Sequence, residues 1–125
     1  MVLLTLATAT EDGRPLAGPV DGIFYRGAFH FGSSPGSVRF RHIRRRPYVS
    51  ATHLPGEEFA VTVHGRAVEL DLQEADNSGF RSALFEVYLP RYGADWETFL
   101  GSGPVYARID ADRMFTLSIA SANTT

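Results

Sequence analysis

The sequence predicts a mainly β protein of α+β type, an antiparallel barrel or sandwich with helices inserted between its strands. Three observations carry this reading. About seven apolar, β-branched or alternating runs are separated by turns rich in Gly, Pro and Asp. Only a few stretches recur at the three- and four-residue steps of a helix. The 125 residues, 44% of them apolar and 12% aromatic, suit one core that buries roughly two thirds of the unfolded surface. A single domain over residues 1–125 is expected, with no internal repeat and no low-complexity tract.

Each element has a local cause. Residues 2–9, VLLTLATA, form a first strand, and the turn Glu11-Asp12-Gly13-Arg14 carries an Asp-Gly pair suited to a hairpin. The returning strand, PLAGPVDGIFY over 15–25, contains Pro19, Gly18 and Gly22, which marks an edge or a place where another backbone or a ligand comes close. After the Arg26-Gly27 turn, residues 28–31 place Phe29 and Phe31 on one face and His30 on the other. A helix then begins near Pro35, with Ser34 as N-cap, Pro35 in the first helical position, and Pro47 ending it. Its buried side is Val38, Phe40 and Ile43, which leaves Arg41, Arg44 and Arg45 outward.

Residues 47–54 read as a strand, turned by Pro55-Gly56-Glu57 into the long strand 58–70, where Gly65 marks a bulge. Ala75, Phe80, Leu84, Val87 and Tyr88 give residues 74–89 the best helical pattern. Tyr92, Trp96, Phe99 and Leu100 make a second short helical piece, ended by Gly101, Gly103 and Pro104. Trp96 and Tyr92 read as core or subunit-contact residues. Two last strands, PVYARID and MFTLSIA, flank a turn at Asp110 to Arg113, and the tail SANTT is expected to fray.

Composition removes several function classes. There is no cysteine, so disulfides, thiolate metal sites and cysteine nucleophiles are excluded. All twelve basic residues are arginine, which rules out a lysine Schiff base and leaves guanidinium forks and backbone amides to grip anions. The formal net charge of −2 argues against general nucleic-acid binding. No apolar run approaches the ~20 residues of a membrane span and no leader-like start is seen, so a cytoplasmic location is expected. His30, His42, His53 and His64 lack metal-ligand spacing, so no metal site is assigned. No G-x-S-x-G or G-x-G-x-x-G pattern occurs.

The segment HFGSSPGSVRFRHIRRRP, residues 30–47, concentrates the candidate chemistry. A helix start offers free amides and partial positive charge to an anion. Ser33, Ser34 and Ser37 add hydroxyls, Gly36 allows close approach, and Arg39 lies one turn in, so together they can cradle a phosphate; an ordinary capped helix with solvated arginines is the competing reading. Asp21 can orient a ligand, or simply pair with an arginine at a strand end.

Taken in order, LATATEDGRPLAGPV (6–20), FYRGAFHFGSSPGSVRFRHIRRRPYVS (24–50) and VTVHGRAVEL (61–70) resemble the pyridoxamine 5'-phosphate oxidase-like family of flavin-binding split β-barrels. The resemblance spans roughly residues 4–119 and implies a split antiparallel barrel with inserted helices. It places the family's phosphate-binding turn on Ser33, Ser34 and Ser37, with its basic residue on Arg39. Pro19, Val20 and Asp21 match the strand whose backbone borders the flavin ring, and Thr52 and His53 lie where the following strand faces it. The implied cofactor is FMN, or alternatively a deazaflavin coenzyme, lodged between the subunits of a homodimer.

The implied activity is oxidoreductase chemistry, a hydride moving between that cofactor and a small acceptor, with no catalytic side chain required; a non-enzymatic cofactor-binding or sensor module is the alternative. The second strand lacks the charged residues of the vitamin oxidase, and only Arg108 and Arg113 remain where that enzyme has an arginine-rich C-terminal signature. Oxidation of pyridoxine phosphate is therefore not expected.

Overall fold

A computed structural model describes residues 1–118 of the chain. Six strands close into a barrel: β1 (Val2–Ala9), β2 (Pro15–Tyr25), β3 (Ala28–Ser33), β4 (Tyr48–Gly56), β5 (Phe59–Leu70) and β6 (Val105–Ser118), in the order β1-β2-β3-β6-β5-β4. Every pairing is antiparallel, and β4 returns to β1 through Leu4↔His53 to Ala7↔Ser50. Helix α1 (Val38–Arg45) joins β3 to β4, and α2 (Ser78–Tyr92) and α3 (Ala94–Gly101) fill the connection from β5 to β6. No helix among the described residues is long and apolar enough to cross a membrane.

Strand alternation creates two cores. Leu4, Leu6, Val20, Phe29, Phe31, Val63 and Ile109 point into the barrel, where Phe40 and Ile43 of α1 plug one end. The opposite faces of β2, β3 and β6 present Ile23, His30 and Tyr106 outward, and α2 and α3 cover them with Phe80, Leu84, Tyr88 and Trp96. His30 stacks on Phe80 at 4.4 Å between centroids. The expected division of β3, with two phenylalanines inward and the histidine outward, thus has a physical counterpart in each core.

Three sequence expectations need correction. The two C-terminal strands are one: Asp110 and Ala111 stay paired with Arg66 and Gly65, and the register shift falls between His64 and Gly65, so Asp112 is absorbed by a bulge where a turn was expected. The length of β5 supplies a partner all along this run, and six strands result. Helix α1 starts three residues late because Ser37, not Ser34, is its N-cap, its Oγ accepting from Phe40 N–H at 3.2 Å. Val38 then turns outward and is 49% exposed, leaving Phe40 and Ile43 as the buried pair. Gly56 pairs with Phe59, so the β4–β5 turn sits one residue later than expected. The expected frayed tail and the last two residues of MFTLSIA lie outside the described residues.

Candidate functional site

Outside the barrel, where the α2–α3 hairpin meets β2, a cleft of about 440 Å³ opens. Its barrel wall is Pro19, Val20 and Asp21 of β2 with Gly32 and Tyr106 of the neighbouring strands. The facing wall is aromatic. Tyr88 stacks between Tyr92 (6.2 Å, 19°) and Trp96 (5.9 Å, 13°), and Phe99 continues the wall. Gly93, at φ +59°, breaks α2 from α3 and lets the two helices fold back so that these rings share one side.

One cation lines this cleft, Arg39. It stands in the first turn of α1 and its guanidinium reaches over β2, where a Cβ on Gly18 would lie 3.2 Å from Nη2. Glycine at 18 leaves the room the arginine occupies. The Arg39 side chain makes no hydrogen bond or ion pair with another described residue. An unpaired guanidinium beside an apolar aromatic wall is suited to an anion carried by a planar ligand.

The cleft's other polar groups are phenols and carboxylates. Burial pushes the Tyr106 hydroxyl up to about 12. Burial, reinforced by the negative charge of Asp21, pushes Tyr88 higher still. Both phenols therefore stay protonated at neutral pH and act as hydrogen-bond donors. Asp21 is exposed and without an arginine partner among the described residues, so the strand-end ion pair considered for it is not formed.

Of the nine residues assigned from sequence, the cleft gathers four: Pro19, Val20, Asp21 and Arg39. Ser37 lies beside Arg39 in an adjoining depression of about 250 Å³, but its hydroxyl is committed to capping the helix. Ser33 ends β3, and Ser34 accepts from Ser37 N–H through its carbonyl. The amides of Val38 and Arg39 at the helix start have no intrahelical acceptor. Thr52 and His53 are not in the cleft. Thr52 Oγ1 bonds Thr62 Oγ1 at 2.9 Å on the barrel's other outer face, and His53 Nδ1 lies 3.2 Å from the Leu3 carbonyl.

The aromatic wall was missed as a site from sequence. Tyr88, Tyr92, Trp96 and Phe99 recur at helical steps, but only the fold brings them against β2. Among the described residues no three His, Asp or Glu side chains gather to hold a metal ion.

Comparison with known proteins fits this architecture. A conserved hypothetical protein of Mycobacterium tuberculosis, Rv2991, superposes with a TM-score of 0.77 at 21% identity, covering 98% of this chain and 81% of that one. A FAD-binding protein of Mesorhizobium loti gives 0.71 at 23% identity, with 93% and 83% covered. A pyridoxamine 5'-phosphate oxidase-related, FMN-binding protein of Nostoc punctiforme gives 0.70 at 13%, with 94% and 75% covered. At such identities these likenesses establish the fold. No curated protein matches in sequence. The family model described as pyridoxamine 5'-phosphate oxidase matches residues 2–122, and the chain belongs to that family.

Proposed function

We propose that the chain is a flavin-binding oxidoreductase that holds FMN, or a deazaflavin coenzyme in its place, and passes a hydride between it and a small acceptor. One observation carries the reading: the unpaired Arg39 guanidinium, given room by Gly18, at the end of an aromatic cleft walled by Pro19, Val20 and Asp21. Family membership and the flavin-binding proteins of like fold support it.

In this reading Arg39 and the free amides at the start of α1 hold the phosphate, with Ser33, Ser34 and Ser37 shaping the turn. The aromatic wall and the β2 backbone take the ring system and keep water from it. Protonated Tyr88 and Tyr106 would donate hydrogen bonds to the ligand, and the Asp21 carboxylate would accept one from it. The bound flavin would supply the two-electron chemistry; the chain's own part is position, exclusion of water and electrostatic tuning.

A homodimer completes the proposal. The outer face of β1, β4, β5 and the far half of β6 carries no helix, and Leu3, Leu54, Phe115 and Leu117 stand 51–60% exposed on it. Apolar area of this kind marks an interface. It borders β2, so a second copy docked there would bring its Thr52 and His53 toward the cleft, which one chain cannot do.

Titration of the purified protein with FMN, followed by flavin fluorescence, tests the seat. Arg39→Ala should weaken binding by at least tenfold, while Arg44→Ala, whose guanidinium is already paired with Glu69 at 2.8 Å, should leave it within about twofold. Equal effects of the two substitutions would remove the phosphate assignment. Steady-state oxidation of a reduced nicotinamide in the presence of flavin separates an enzyme from a cofactor-binding module without turnover.

A further inference from the structure

Apart from Arg39, the charged residues lining the cleft are Asp21 and Asp95. Asp21 stands on the outer face of β2, paired in register with the exposed Leu3 of β1, so it sits where the cleft meets the uncovered side of the barrel. Its carboxylate makes no hydrogen bond or ion pair with another described residue. The two carboxylates differ in what surrounds them. Asp95 lies in the first turn of α3, where free amides and the helix dipole offset a negative charge. Asp21 lies within a strand, and a sheet supplies no comparable dipole. Its charge is felt inside the cleft: after burial, it is the next cause that keeps the Tyr88 hydroxyl protonated.

This distribution of charge bears on oxidation state. An oxidised flavin ring is neutral, and two-electron reduction leaves negative charge on it in mildly alkaline solution. A cation or a helix N-terminus beside the ring would stabilise that charge. Here the single cation is Arg39, committed to the phosphate in the reading above, and the group left without a partner is a carboxylate. Like charges in one site disfavour the charged form, and the apolar aromatic wall lowers the local dielectric that would screen them.

We propose that Asp21 sets the electron affinity of the site: it weakens the hold on reduced, anionic flavin relative to oxidised, neutral flavin, and so poises the cleft to give up an electron pair. This role presupposes the flavin reading of the cleft and gives its chemistry a direction, from cofactor to acceptor. An acceptor that takes the hydride carries off both electrons and the negative charge that Asp21 opposes, and completes itself with a proton from water. A reduced nicotinamide restores the pair.

The test titrates the protein anaerobically with oxidised and with chemically reduced FMN at pH 8, and measures the midpoint potential of the complex against a reference dye. Expected for the parent is a Kd for reduced FMN about tenfold or more above that for the oxidised form, equivalent to a midpoint about 30 mV or more below that of free FMN. Asp21→Asn, at an exposed position, should melt as the parent does and bind oxidised FMN within about threefold. It should lose about tenfold of the discrimination, raising the midpoint by about 30 mV. Asp21→Glu keeps the charge and should keep the parent's ratio. Glu74→Gln removes an exposed charge outside the cleft and should leave the ratio unchanged. Equal or tighter binding of the reduced form by the parent, a ratio unmoved by Asp21→Asn, or an equal shift from Glu74→Gln overturns the role of Asp21 while leaving the flavin seat intact. Failure of the parent to bind FMN in either form overturns the flavin reading and this role with it.

Discussion

Replacing Phe40 with Ala would test how the candidate site is held. Phe40 is 0% exposed, its ring lies 5.7 Å from that of Phe31, and with Ile43 it forms the whole buried side of α1. Removing a fully buried phenyl ring costs about 3–5 kcal/mol in lost transfer energy and cavity. That is a large part of the roughly 5–15 kcal/mol that stabilises a domain of this kind. Ile43→Val should cost only about 0.5–1.5 kcal/mol. Since Arg39 is the residue before Phe40, loosening the helix also frees the guanidinium from its place over Gly18, and FMN affinity should fall at temperatures where the variant is still folded. Urea unfolding followed by far-UV circular dichroism, paired with flavin titration, reads both effects. A loss below about 1.5 kcal/mol for Phe40→Ala, or unaltered flavin affinity in the folded variant, would refute the claim that α1 is anchored by this ring and positions Arg39 through it.

Other consequences are independent of that helix. A Cβ on Gly22 would sit 2.3 Å from the His30 carbonyl oxygen, whereas one on Gly36 meets nothing within 4 Å; Gly22→Ala should lose about 1–3 kcal/mol or more in thermal or urea melts and Gly36→Ala much less. Burial holds the His30 imidazole below its ordinary pKa, and the nearby Arg108 charge acts the same way. The unfolded chain therefore takes up a proton near pH 6.5 that the native state resists, so this stability is fully present above that pH and lost as pH falls below it. Melting temperatures measured at pH 8 and pH 5 should differ more in the parent than in His30→Gln. Leu117→Asp, on the uncovered barrel face, should convert a dimer to a monomer in sedimentation analysis without lowering the helix and strand content.

Much of the fold was legible because turn chemistry and alternation are local. Asp12-Gly13 and Arg26-Gly27 fixed two hairpins, and Phe29, His30 and Phe31 declared their faces. What local sequence could not decide was settled by partners. Ser34 reads as the cap on paper, yet the cap is Ser37, whose hydroxyl accepts from the Phe40 amide. Asp110 to Arg113 reads as a turn, yet β5 is long enough to keep that run paired, at the cost of a bulge. The site followed the same rule. Arg39 and the Pro19 to Asp21 segment, expected from the resemblance, do line one cleft, while its aromatic wall depends on the reversal at Gly93 and packing over Tyr106, a contact between distant parts of the chain. Thr52 lies on an outer face that a single chain leaves uncovered, while its neighbour His53 points the other way, beside Phe29.

A crystal structure of the protein soaked with FMN tests the central claim most directly. The account predicts the phosphate against the Arg39 guanidinium and the first amides of α1, with the ring system entering the cleft between β2 and Tyr88, Tyr92 and Trp96. A phosphate bound elsewhere, with Arg39 still free over Gly18, would contradict it.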